Sequence, residues 1–105
     1  MKVADLPASI DLGGGHAIRF YSGYGCPDDV IGAIETHTRP DGSPCEGSIL
    51  LATPETEAWL AAHPGEQGRA IWAVNSWGPL DLSPSLLCSD CGNHGFVRNG
   101  KWQGA

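Results

Sequence analysis

The chain has 105 residues, among them 15 Gly and 8 Pro, and its six Lys and Arg against twelve Asp and Glu give a formal net charge of −6. Gly follows no three-residue period, the charge is too low for a disordered tail, and the longest apolar run, Ala70 to Val74, is far too short to span a membrane. A single small domain over residues 1–105 is expected, and its acidic balance lacks the basic stripe of a general nucleic-acid binder.

The pattern predicts an α+β fold, mostly short antiparallel strands with one short helix. Gly13-Gly14-Gly15 forms a turn into a strand over His16 to Ser22. Val30 to Thr38 is a second strand, rich in β-branched residues. Arg39-Pro40-Asp41-Gly42-Ser43-Pro44 reverses the chain, and Gly47 to Ala52 returns. The helix is expected over Pro54 to His63. Thr53 serves as N-cap, Pro54 fits the first position where no N–H is needed, and Glu55 and Glu57 favour the positive end of the dipole. Trp59 and Leu60 are expected to point inward, and Pro64-Gly65 stops the helix. Ala70 to Ser76 is a further strand, followed by extended pieces at Leu80 to Leu82 and Pro84 to Leu87. The tail from Gly95 to Gln103 is a hairpin, because Asn99-Gly100 between two short runs suits a type I′ turn. The four Trp, at 59, 72, 77 and 102, are expected mainly in the core.

So Gly-rich a chain loses much backbone entropy on folding, and small domains in that position often use disulfides or a structural metal as a staple. The N-terminus shows no secretory signal, since Asp5 and Asp11 interrupt any apolar stretch; a reducing cytosol is the expected setting. There a Cys-x-x-Cys points to metal or redox chemistry. Cys88-Ser89-Asp90-Cys91-Gly92 allows two thiolates to grip one zinc ion from a tight turn whose backbone N–H groups donate to sulfur. Gly92 supplies the positive φ that such a knuckle needs and opposes the helix of a thioredoxin-like motif. A structural zinc wants two more donors. Taking Cys26 and Cys45 with Cys88 and Cys91 uses every thiol in one Cys₄ site. His94 is an alternative ligand, and His37, across the proposed turn from Cys45, is the next. His16 and His63 are expected to be exposed or hydrogen-bonded. The motifs of phosphate loops, lipase elbows and zinc peptidases are missing, so no catalytic residue is assigned.

The segment from Leu82-Ser83-Pro84-Ser85 through Cys88, Cys91-Gly92 and His94-Gly95-Phe96-Val97-Arg98-Asn99-Gly100-Lys101-Trp102 resembles a group of small uncharacterised proteins from phages of actinobacteria. The likeness covers roughly the last 25 residues well, and His37 to Ile49 more loosely. It implies a zinc-ribbon-like C-terminal knuckle and hairpin and a phage origin, but no activity. The chain departs from zinc-ribbon patterns in having one Cys, not two, around Cys26.

These features lead to the expectation of a non-enzymatic phage accessory protein with a structural Zn²⁺. It would bind a phage structural or host protein, in the host cytoplasm or the virion, without membrane insertion. One alternative is a nucleic-acid-binding or transcription-related module using Arg98, Lys101 and Trp102. Another is a small zinc hydrolase or nuclease with an open metal position.

Overall fold

A computed structural model describes all residues from Met1 to Ala105. Nine strands form two sheets. The larger contains β1 (Ile10–Gly13), β2 (His16–Gly23), β3 (Cys26–Thr38), β4 (Pro44–Leu51), β5 (Ile71–Trp77) and β6 (Leu80–Ser83), in that spatial order. The smaller contains β7 (Leu86–Leu87), β8 (His94–Arg98) and β9 (Lys101–Gly104). The single helix α1 (Pro54–Ala62) and a 3₁₀ turn at Pro64–Glu66 lie between β4 and β5. This is the expected α+β class. All strand pairs are antiparallel except β4 with β5, which are parallel, and a parallel pair needs the long crossover that α1 supplies.

Local chemistry accounts for most boundaries. Thr53 accepts a hydrogen bond from the Thr56 backbone N–H at 3.0 Å, and Pro54 opens the helix. Asn99 and Gly100 have φ of 53° and 74°, the two positive values of the expected tight hairpin turn. The Gly100 N–H then reaches the Leu80 carbonyl at 2.7 Å, which ties this turn to β6 in the other sheet. The β1 strand and the early start of β3 at Cys26 were not expected from sequence.

The helix differs from expectation on its inner face. Only Thr56 is buried; Trp59 and Leu60 are half-buried. Thr56 Oγ1 donates to the Ile31 carbonyl at 3.1 Å, so the helix sits on β3 through a hydroxyl rather than an indole. Trp59 instead lies over Gly23, where an added Cβ would stand 2.6 Å from its ring nitrogen.

The core unites both sheets. Leu12, Ile18, Val30, Ala33, Ile49, Leu51, Leu80 and Leu82 from the larger sheet pack with Leu86 and Val97 from the smaller. Trp72, Trp77 and Trp102 pack against this cluster but remain half-buried. A bulge puts Ile31 between the Tyr21↔Gly32 and Ser22↔Val30 pairs. It shifts the alternation, which lets Val30 and Ala33 face the same core despite their odd spacing.

Opposite Gly32, Tyr21 folds across the sheet and donates to the Ile49 carbonyl at 3.2 Å. A Cβ at Gly32 would collide with the Tyr21 ring and stand 2.5 Å from that carbonyl oxygen. Gly32→Ala is therefore expected to destabilise the fold by about 1–3 kcal/mol, read as a lowered denaturation midpoint. An unchanged midpoint would show that Tyr21 moves aside freely.

Candidate metal centre

Two buried donors come from one rung of the β3–β4 hairpin. His37 pairs directly with Cys45, so their side chains leave the same face of the sheet. The other two come from the turn between β7 and β8. There the Cys88 N–H donates to the Asn93 carbonyl, and the Gly92 N–H to the Cys88 carbonyl, each at 2.8 Å. Gly92 holds a φ of 77°, which closes this turn without Cβ strain.

The donor atoms of His37, Cys45, Cys88 and Cys91 all lie within 4.8 Å of one another. Cys45 Sγ and Cys88 Sγ are 3.6 Å apart, and His37 Nε2 and Cys91 Sγ 3.1 Å. Two thiolates on a tetrahedral zinc stand about 3.8 Å apart, and a thiolate and an imidazole about 3.6 Å. Small shifts of the side chains would seat such an ion. The group can hold a metal ion, with three sulfurs and one nitrogen as donors.

Electrostatics favour ligand ionisation at the turn. Burial pushes the Cys88 thiol up, but N–H groups of Cys91 and Asp90 hydrogen-bond its sulfur and hold its pKa at about 7. Cys45 is pushed up, first by burial and then by its hydrogen bond to Cys88, although the Arg39 guanidinium opposes this. Burial disfavours the His37 imidazolium, yet hydrogen bonds to Glu35 and Cys91 outweigh it and raise the pKa to about 9. A metal arriving at neutral pH must therefore displace the His37 proton along with thiol protons, so its affinity falls as the solution is acidified.

Behind His37 lies a buried chain of polar groups. Glu35 and His37 are two residues apart on β3 and share a face. Glu35 Oε2 is 2.6 Å from His37 Nδ1, and Glu35 Oε1 is 2.5 Å from His16 Nδ1. The His16 ring stacks on Trp102 of β9, with centroids 3.9 Å apart and planes within 8°.

Of the four cysteines expected as ligands, the structure brings together Cys45, Cys88 and Cys91 and leaves out Cys26. Cys26 opens β3 and His37 lies near its far end; at about 3.3 Å per residue, the strand separates them by on the order of 30 Å. His37 takes the fourth place. The position was legible in principle, because the turn centred on Asp41 sets residue 37 opposite 45. His94 lies outside the group and meets Ser85 Oγ at 2.8 Å. His16 and His63 are both hydrogen-bonded, as expected, the latter to the Trp59 carbonyl. The second pair of donors comes from a strand rung rather than a second tight turn, so the geometry differs from a two-knuckle ribbon. The proposed Arg98, Lys101 and Trp102 patch is partly consumed: Trp102 stacks on His16, and Arg98 sits 4.1 Å over the Phe96 ring.

The chain matches no protein-family model, and no similar curated protein or solved structure was found.

The thiol chemistry has a direct readout. With metal removed at pH 7.5, iodoacetamide is expected to modify Cys88 before Cys45, as mapped by peptide mass spectrometry, and zinc is expected to protect both. Because the Cys88 pKa is depressed on folding, its ionisation stabilises the metal-free fold above the ordinary thiol range, and that contribution is lost as pH falls through about 7. Modification of Cys45 first would contradict this ordering.

Proposed function

We propose that this chain is a small zinc-stabilised accessory protein, of phage origin as its C-terminal resemblance implies, which works by binding another protein. The observation that carries the metal assignment is the meeting of His37, Cys45, Cys88 and Cys91, whose donor atoms lie within 4.8 Å of one another. Thiolate and imidazole donors in this ratio suit zinc. Four protein donors complete a tetrahedral shell and leave no position for a reactive water, which favours a structural ion over a zinc hydrolase or nuclease.

A structural role also fits where the donors originate. His37 and Cys45 belong to the larger sheet, whereas Cys88 and Cys91 belong to the turn that joins the first two strands of the smaller. An ion there ties the two sheets together, and its binding energy adds to the stability of the fold. The net charge of −6 and the commitment of Trp102 to packing favour a protein partner over nucleic acid. The reducing host cytoplasm keeps the thiols available to the metal, and in an assembled virion the bound ion would itself shield them from oxidation. No helix is long and apolar enough to cross a membrane.

Metal analysis of protein purified under reducing conditions is expected to return one zinc per chain. Stripping the metal is expected to lower the melting temperature by more than about 15 °C, since each kcal/mol is worth about 4–8 °C in a domain of this size. Cys26→Ser should keep the zinc, whereas Cys88→Ser and His37→Ala should lose it. Well under one zinc per chain in the wild type would end the metal assignment. For the partner, virion mass spectrometry and affinity capture from infected cells are expected to return one phage or host protein, bound by the zinc-loaded form only. Salt-sensitive binding to DNA at low ionic strength, lost in Arg98→Ala, would favour the nucleic-acid module instead.

A further inference from the structure

His16, Glu35 and His37 form a second cluster of metal-ligating side chains, all buried. Its spacing is that of hydrogen bonds, not of a second ion. Two donors held by one zinc at about 2.1 Å would stand about 3.4 Å apart. The carboxylate of Glu35 instead lies 2.5 Å from one ring nitrogen and 2.6 Å from the other. A carboxylate offers only acceptors, so each neighbouring Nδ1 must carry a hydrogen.

We propose that Glu35 is a positioning residue for the metal centre and that His16 holds Glu35 in place. The inference rests on the zinc assignment above. By accepting from His37 Nδ1–H, Glu35 Oε2 fixes the tautomer that leaves a lone pair on Nε2, the nitrogen facing Cys91. The hydrogen bond also makes that lone pair more basic and locks the ring plane. Oε1 is occupied by His16 Nδ1–H, so the carboxylate cannot rotate away. The His16 ring is in turn clamped by Trp102. The smaller sheet therefore acts on the ion twice. It supplies Cys88 and Cys91 directly, and through Trp102, His16 and Glu35 it orients the one nitrogen ligand. Docking of β9 and metal affinity are coupled by this route.

The test uses the full-length, zinc-loaded protein. Long-range ¹H–¹⁵N correlation of the wild type is expected to show the proton of His37 on Nδ1 and the metal on Nε2. Competition against a chromophoric chelator is expected to show zinc binding weakened about 10- to 100-fold in Glu35→Gln, with one zinc still bound at saturation. The Co²⁺-substituted variant should show shifted visible bands, which a loss of general stability would not produce. His16→Phe keeps a ring over Trp102 and removes the N–H; it should weaken zinc binding in the same direction, by less. A wild-type chain that takes up no zinc ends the metal assignment and the relay with it. One zinc bound through His37 Nδ1, or Glu35→Gln binding within about twofold of wild type with unchanged bands, ends the relay alone. If both variants fail to fold, the Nδ1 proton of His37 in the wild type still tests the relay: held in a hydrogen bond to Glu35 it is shifted far downfield and slow to exchange, and a rapidly exchanging proton ends the relay.

Discussion

Closure of the Cys88–Cys91 turn onto the His37–Cys45 rung is the junction on which the smaller sheet depends. Strands β7, β8 and β9 have two, five and four residues, too little for a free-standing sheet. Their apolar contribution to the core is Leu86 and Val97, with Trp102 packed alongside. The whole chain buries only 20 of its 105 residues, so the core alone leaves little margin. An ion held by the four donors would add what the core lacks, a strong directional link between chain segments far apart in sequence.

The same junction explains an otherwise costly choice of buried residues. Glu35, His16 and His37 would each be expensive to bury alone, because an unpaired charged or polar group in the interior loses its hydration. Together they satisfy one another, with each carboxylate oxygen meeting one imidazole nitrogen. At the opposite end of the centre, Arg39 lies beside Cys45 and is favoured by the negative charge there. Three thiolates around a divalent ion would leave an excess of negative charge, which a neighbouring guanidinium offsets.

Away from the junction, the structure relies on close backbone approach. Gly32 admits the Tyr21 ring, Gly23 admits Trp59, and Gly95 admits Trp102, each at a distance a Cβ would forbid. Eight of the fifteen glycines hold a positive φ, and these three lie at strand positions that aromatic rings cover.

Much of the secondary structure was legible in the chain itself. The Thr53 cap, the Asn99-Gly100 turn and the Gly92 bend follow from short-range sterics and hydrogen bonding, which neighbouring residues carry with them. The Cys-x-x-Cys pair was legible for the same reason: its geometry is local. The burial of the helix was not, because Thr56 rather than Trp59 meets β3 only once the crossover has set the helix on the sheet. Nor was the full ligand set. Counting thiols favours Cys26, but a donor is chosen by where its strand delivers it, and Cys26 lies at the wrong end of β3. The sequence by itself determined the turns and the pairing signals, and it named three of the donors, the Cys88 and Cys91 pair by its local spacing and Cys45 by counting thiols. Register and sheet docking alone decided that His37 completes the group and that Glu35 and His16 stand behind it, because those contacts join residues no local rule brings together.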